Sequence, residues 1–508
     1  MMMATAKIDT DKLIACMHPL DVVGDNSGEI LDLVYDSRKV GPGSAFFALR
    51  GTSADGHCYI NNAIDRGAEL IVMEKPHELA GVTAVVVEDA RVALAEASAL
   101  FFGKPSQKLR VVGVTGTNGK TTITYLVEAM LVAAQQRPAV IGTVNYRFDN
   151  REIPASHTTP ESYDLQELVA GFLEQGADSL VVEVSSHALE QNRVVGIDFE
   201  VGIFTNLTPE HLDYHQTMES YFASKKKFFD DYLVPQGSRA VVNIDDPYGQ
   251  KIASSLDDVL TCGISSEADV RAENVELSRQ GIKADIVTPA GRFALCSSLL
   301  GGFNVSNILC AIAAGIALEL PLAAIVEGIS HVPVVPGRVE AIENERDAVI
   351  LVDYAHTGDA LENVLKAVGE LKAARVITVF GCGGDRDRSK RPVMGEIAAR
   401  YSDLVIVTSD NPRTEAPASI LSEIVPGVEK HFKSALTAEQ AGKPDARGYI
   451  VVADRKDALL MAVNMLQSGD LLLVAGKGHE DYQIIGKERI HFDDREQIRL
   501  ALQTSGRC

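Results

Sequence analysis

The stretch "VVGVTGTNGKTT", residues 111–122, decides how the rest of the chain is read. An apolar run that fits a buried strand breaks at Thr115 into glycines and hydroxyl residues, and a helical stretch over 123–134 follows. A glycine loop between strand and helix is where backbone N–H groups wrap phosphates. Gly116, Thr117, Asn118, Gly119, Lys120, Thr121 and Thr122 are therefore the expected nucleotide contacts, with Lys120 on the outer phosphates and the Thr121 hydroxyl on Mg2+. The strict P-loop spacing fails, because Val114 stands at the first glycine position and the nearest glycine is Gly113. A bare "GKT" also suits an ordinary helix start, but strand, glycines, lysine and paired threonines together favour a nucleotide.

Outward from this loop the same grammar repeats. "LVVEVSSHAL", "VGIFTNLTPEHLDYH" and "AVVNIDDP" lie before a Pro- and Gly-rich linker, "HVPVVPGRVE"; "VILVDYAHTGD", "VITVFGCGGDRDR", "LVIVTSDNPR" and "LLLVAGKGHE" lie beyond it. Apolar runs that each end in a polar motif, with helical stretches such as 307–320 between them, predict an α/β fold of mainly parallel sheets. Their motifs then share the carboxyl edge, where open sheets bind ligands. The composition shifts divide the chain into three expected domains, a small α/β block over 1–107 closing at "GKPSQK", a central block over 108–335 and a C-terminal block over 336–508.

The bulk properties exclude several classes. A chain of 508 residues is too long for one core, and 46% hydrophobic with 23% charged residues is ordinary globular composition. A net charge of −22 argues against a nucleic-acid partner, so any anionic substrate must be met by local basic pockets. Seven scattered cysteines without a CxxC pair fit a reducing compartment. The start "MMMATAKIDT" has no apolar h-region, and no stretch approaches the roughly 18 apolar residues of a membrane span, so a cytoplasmic protein without membrane insertion is expected.

Glu183 ends its run and His211 follows another, a carboxylate and an imidazole that suit a divalent cation sharing substrate oxygens. "SKKKFF", 224–229, reads as a basic helix face in water. "GGDRDRSKR", 383–391, gathers Arg386, Arg388, Lys390 and Arg391 in a loop fit for a multiply anionic ligand or for solvent; Arg386 at the last glycine position rules out G-x-G-x-x-G. In "SDNPRTE", 409–415, Pro412 pushes Asn411 toward extended backbone and sets Arg413 just past the end of a strand. There a guanidinium fork meets a carboxylate or phosphate, unless the segment is merely a solvated turn.

Taken in order, "YDSRKV", "TGTNGKTT", "HTTPES", "EVSSHALEQNRV", "FTNLTPEHLDYH", "FNVSN", "PGRVE", "DYAHTGD", "GCGGDRDRSKRP", "DNPR" and "GKGHEDYQ" resemble the Mur ligases, ATP-dependent amino-acid-adding enzymes of peptidoglycan synthesis, over nearly the whole chain. The resemblance implies a UDP-substrate domain, a central P-loop-type ATPase domain and a Rossmann-like domain that receives the amino acid. It places Tyr35, Ser37, Thr52, Ser53 and Ala54 on the uridine nucleotide, and His157, Thr158, Thr159, Ser185, Gln191 and Arg193 on the muramoyl peptide. His157 departs from the Asn frequent at that position. Asn304, Arg338, Asp353 and His356 join the loop around ATP, with Gly358 where proline is usual. Thr121, Glu183 and His211 become Mg2+ ligands, together with Lys225 as a carbamate formed from CO2 (N6-carboxylysine). Lys120, Glu183, His211 and Lys225 then carry catalysis. Arg386, Asp410, Asn411, Pro412, Arg413, Gly476 and Glu480 match positions that hold diaminopimelate.

The implied reaction is ligation of meso-2,6-diaminopimelate to the D-Glu γ-carboxylate of UDP-N-acetylmuramoyl-L-Ala-D-Glu through an acyl phosphate, by a monomer. The alternatives are the same ligation with L-lysine or another diamino acid, a folylpolyglutamate synthetase sharing the central domain, or a non-catalytic nucleotide-binding protein.

Overall fold

Along Arg110–Thr115 the side chains alternate between two cores, Val112 and Val114 on one side of the sheet and Val111 on the other. Ser179–Glu183 does the same with Val181 against Leu180 and Val182, so both runs are strands buried on both faces, the pattern of a parallel sheet covered by helices. Each such valine or leucine stabilises the fold by roughly 1.5–3 kcal/mol. In the computed structural model, which describes residues 7–51, 54–77, 79–265 and 267–505, these strands lie in an eight-stranded sheet. Six strands are parallel, in the order Pro138–Ile141, Ser179–Glu183, Arg110–Thr115, Val201–Phe204, Arg239–Asn243 and Val259–Cys262. An antiparallel hairpin, Asn145–Phe148 and Arg151–Pro154, extends one edge. Chain order reverses around Arg110–Thr115, so the glycine loop leaves the sheet at its switch point.

A second sheet of six strands orders Glu340–Ala341, Val349–Asp353, Asp470–Ala475, Arg375–Phe380, Leu404–Val407 and Gly448–Val451, all parallel except the first. Leu351 and Leu473 enter one core, Val352 and Val474 the other. The four motifs of this half therefore leave one edge side by side. The N-terminal sheet of five strands, Asp21–Val23, Thr83–Val86, Ala68–Met73, Ser44–Phe47 and Asp32–Val34, likewise carries a core on each face.

One element has no counterpart in the expected pattern. Arg271–Ser278, Gly281–Thr288 and Gly291–Ser297 form a three-stranded antiparallel sheet whose Ile282, Ile286 and Leu295 join the central core. Two glycine-bearing turns close it. Among the described residues no helix is long and apolar enough to cross a membrane.

Candidate active site

The loop after Arg110–Thr115 is fixed from outside. Gly116 adopts φ +145°, and a Cβ there would run into the Thr205 hydroxyl; Gly119, at φ +89°, has the Asn307 side chain in the same position. Gly113 has another reason: it lies inside the strand, where a Cβ would press 2.8 Å from the Phe199 ring. It is a packing glycine, which is why the strict phosphate-loop spacing is absent. The Asn118 N–H donates to Asn206 Oδ1 (2.9 Å), and the Thr205 hydroxyl donates to Asn118 O (2.7 Å). Lys120 folds back onto Gly116 O (2.9 Å) and Thr117 O (2.8 Å).

Facing the loop is the start of the C-terminal sheet. Arg338 donates to the Thr121 hydroxyl (3.2 Å), and Asn118 Nδ2 donates to Asp359 (3.0 Å). Between the two sheets lies a cavity of about 220 Å3 bounded by Asn118, Thr121, Asn307, Arg338, Asp353 and Asn363. Thr122 is buried at the start of the helix Lys120–Ala133. Asp353 accepts from the N–H groups of Val339 and Ala355 (2.7 Å each), and burial pushes its carboxyl up against the pull of Arg338. Asn304 does not line this cavity; it stands behind Asn307, accepting from its side-chain amide at 2.8 Å.

Glu183 is 1% exposed and accepts from the Thr143 N–H (3.0 Å) and hydroxyl (2.8 Å). His211 sits at φ +55° ahead of Leu212–His215, and its ring stacks edge-on to His187 at 4.8 Å. Burial lowers the His211 pKa, opposed by the neighbouring Glu210. Glu210 is the junction of this region, 3.8 Å from His211 and 3.7 Å from His356. The reading of "SKKKFF" as a solvated basic face is corrected here. Ser224 and Lys225 are buried, Lys226 pairs with Asp230 and Lys227 with Glu190. Lys225 is 1% exposed, donates to Gly116 O (2.8 Å) and lies over the Tyr221 ring; burial, then Lys120, drives its pKa far down. Helical periodicity turns this one lysine of three inward. Among the described residues no group of three or more His, Cys, Asp or Glu is placed to hold a metal alone.

At the edge of the C-terminal sheet the four motifs interlock. Arg413 takes the left-handed conformation, φ +50°, a strain of roughly 1–2 kcal/mol for a side-chain-bearing residue. Its backbone is clamped in place: its N–H donates to Ile484 O (3.0 Å) and its carbonyl accepts from the Gly486 N–H (2.7 Å). The guanidinium donates to Gly384 O (2.8 Å) and pairs with no carboxylate among the described residues. Arg386, exposed beside Gly383, donates to Asp385 O and pairs with no carboxylate among the described residues. Arg391, by contrast, is fully buried and paired with Glu415 and Glu423, and Arg388 is paired with Glu423. Of the four cations in the loop, Arg386 and Lys390 have no carboxylate partner among the described residues; Lys390 reaches His356 O. Asn411 donates to Glu480 (2.9 Å) and accepts from Lys477 (3.0 Å), Pro412 precedes Arg413, and the Gly476 N–H donates to Asp353 O (3.0 Å).

The described residues among the expected UDP-substrate positions come from both the N-terminal and the central block. Tyr35 donates to Asp164 (2.6 Å), and Ser37 is buried at the start of a single 3-10 turn. Ala54 O accepts from the Gly51 N–H (2.9 Å); Thr52 and Ser53 lie outside the described residues. Thr159 donates to Glu183 O (2.6 Å) and accepts from the Ser185 N–H (3.1 Å). Arg193 bridges Thr159 O (2.9 Å) and Gln191 (2.8 Å), Thr158 meets Thr143 (3.1 Å), and His157 is exposed.

Comparison with known proteins follows this geometry. Three family models match: Mur ligase family, catalytic domain over 29–102; Mur ligase middle domain over 114–315; and Mur ligase, glutamate ligase domain over 337–478. The UDP-N-acetylmuramoyl-L-alanyl-D-glutamate–2,6-diaminopimelate ligase of Geobacter metallireducens is 51% identical over 97% of this chain and 98% of its own. The chain belongs to the Mur ligase family. The Thermosynechococcus vestitus ligase of the same description is 46% identical over 94% of this chain and 93% of its own. A solved structure of such a ligase superposes with a TM-score of 0.70 at 32% identity, covering 99% of this chain and all of that one. A folylpolyglutamate synthase from Mycobacterium tuberculosis (17% identity, 77% and 92% covered, TM-score 0.61) shares the fold.

Several residues that shape the site of this Mur ligase escaped the sequence reading. Thr143 acts through a contact with a distant segment, for which no local signal exists, while Asn206, Asn307 and Asp359 lie inside quoted motifs but take their roles from contacts across the chain. Glu210 and Lys477 stand inside quoted motifs, and an acidic neighbour of His211 and a lysine between two glycines were the available clues.

Proposed function

We propose that this Mur ligase joins meso-2,6-diaminopimelate to the D-Glu γ-carboxylate of UDP-N-acetylmuramoyl-L-Ala-D-Glu at the expense of ATP, in peptidoglycan synthesis. The observation that carries the substrate assignment is Arg413, a cation strained into place beyond a strand end whose guanidinium bonds to carbonyls alone among the described residues, beside Arg386. Diaminopimelate differs from L-lysine by a distal carboxylate, the group such a cation recognises.

The γ-phosphoryl group of ATP passes to the glutamyl carboxylate, giving an acyl phosphate and ADP, while Lys120 and the loop N–H groups spread the transferring charge. An amine of diaminopimelate then attacks the acyl carbon, phosphate leaves and the amine loses a proton. Arg338, Asp353, Asn307 and His356 would frame the nucleotide. Tyr35, Ser37, Thr52, Ser53 and Ala54 would hold the uridine end; Thr158, Thr159, Ser185, Gln191 and Arg193 the peptide, with His157 at its rim.

Residues for Mg2+ are at hand: the Glu183 oxygens keep free lone pairs beyond the Thr143 bonds, and the His211 imidazole is held neutral. With the Thr121 hydroxyl and a carbamate on Lys225 they would hold the ion, which supplies charge neutralisation on the phosphoryl oxygens. The buried Lys225 amine, shifted toward its neutral form beside Lys120, suits addition to CO2 with loss of a proton.

The test is ADP and phosphate release with each cosubstrate omitted in turn, and the product weighed by mass spectrometry. Release should require both the UDP-dipeptide and the amino acid. ADP formed without the UDP-dipeptide would sink the ligase mechanism.

A further inference from the structure

Lys477 lies among the residues expected to hold the amino acid, beside Asp410, Asn411 and Glu480, and none of the substrate contacts assigned above uses it. Its side chain is 0% exposed. The ammonium donates to Tyr482 O (2.6 Å) and Asn411 Oδ1 (3.0 Å), and stands 3.5 Å from Asp410 and 3.6 Å from Glu480. Asn411 Oδ1 also accepts from the Ile484 N–H (3.0 Å), so the lysine fixes which end of the amide faces inward and leaves Nδ2 for Glu480. The backbone of Ile484 in turn clamps Arg413. One buried cation thus orients Asn411, Glu480 and the segment that holds Arg413.

We propose that Lys477 is the positioning residue of the diaminopimelate recess, leaving one of its two carboxylates balanced and one available for the substrate's distal ammonium. This rests on the diaminopimelate reading above. Asp410 Oδ1 is buried and faces the Lys477 ammonium at 3.5 Å without a hydrogen bond among the described residues, an acceptor of the kind a substrate ammonium would satisfy. The distal end of diaminopimelate is a zwitterion, and Arg413 and Arg386 remain free for its carboxylate. Without Lys477 the two carboxylates would lose their nearest shared counter-ion and fall back on Arg455, which is already paired with Asp494, so protonation of one is favoured.

The groups around Glu480 fix the sign of the pH effect. Burial and Asp410 already push Glu480 up, opposed by Lys477 and the Asn411 amide; Tyr354, Tyr482 and the Asp494-paired Arg455 also face it. Asp410 is raised by burial but held low by Lys477 and Arg455. Loss of Lys477 therefore moves both carboxyls upward.

The experiment compares wild type, Lys477→Met and Lys477→Arg by steady-state ADP release across pH, with unfolding temperature and ATP binding as folding controls. For Lys477→Met the KM for diaminopimelate should rise about tenfold or more while those for ATP and the UDP-dipeptide hold. The acidic limb of kcat/KM for diaminopimelate should move up by about one pH unit. Lys477→Arg, which keeps the charge, should recover part of both. A folded Lys477→Met with unchanged KM and unchanged acidic limb overturns the proposal, as does failure of both variants to fold or bind ATP, which would make Lys477 merely structural. Wild type inactive with diaminopimelate overturns the substrate reading itself, and that arm is read before any variant.

Discussion

Around residues 116–122, Lys120 and Arg338 rest on carbonyl and hydroxyl oxygens, and among the described residues no ion pair joins either of them to a carboxylate. Beyond the C-terminal sheet, Lys477 is surrounded by Asp410, Glu480 and Asn411, while Arg413 and Arg386 have no carboxylate partner among the described residues. The first arrangement keeps positive charge in reserve for an arriving polyanion. The second keeps both signs in reserve, which is what a zwitterionic amino-acid end needs. Electrostatics thus separates two sites that both sit at the carboxyl edges of parallel sheets.

The comparison breaks most visibly at Lys120. Lys120→Ala should lower kcat by about 10^3-fold, as loss of a donor to a transferring group does, with little change in unfolding temperature. Retained kcat would show that the reserve of charge near the loop is not catalytic. Lys225→Ala should cost about 10^2-fold and regain activity with added formate or acetate, since a short acid replaces the missing anion. Absence of rescue in a folded variant would argue against the carbamate.

Much of the site was legible because its residues sit where strands end. Lys120, Glu183, Asp353, Arg413 and Gly476 each follow or close an apolar run, and parallel pairing turns such positions into neighbours. What was not legible depends on packing between segments far apart in the chain. Lys225 cannot be told from Lys226 and Lys227 by composition; burial against Tyr221 separates them. Arg391 stands in a cation-rich motif and Arg413 is the single cation of its own, but it is their partners, two glutamates against a carbonyl, that divide structure from recognition.

That contrast yields the smallest effect. Arg391→Met should lower the unfolding temperature but leave KM for diaminopimelate within about twofold, because Arg391 holds the loop rather than the ligand. Its bond to Glu415 depresses that carboxyl from 4.5 to about 2 in the folded protein. The stabilisation is therefore present above about 4.5 and lost as pH falls toward about 2. In Arg391→Met this part of the acid sensitivity should shrink in urea unfolding followed against pH, the Asp385 N–H still holding Glu415; an unchanged acid limb would mean the pair is idle.

The most direct measurement is kcat/KM for diaminopimelate and for L-lysine, in wild type and in Arg413→Ala, with saturating ATP and UDP-dipeptide. Wild type should prefer diaminopimelate strongly, and the variant should lose about 10^2-fold or more of that preference through diaminopimelate alone. A preference for L-lysine in wild type, or one for diaminopimelate that survives the loss of Arg413, would contradict the assignment of this cation as the selector.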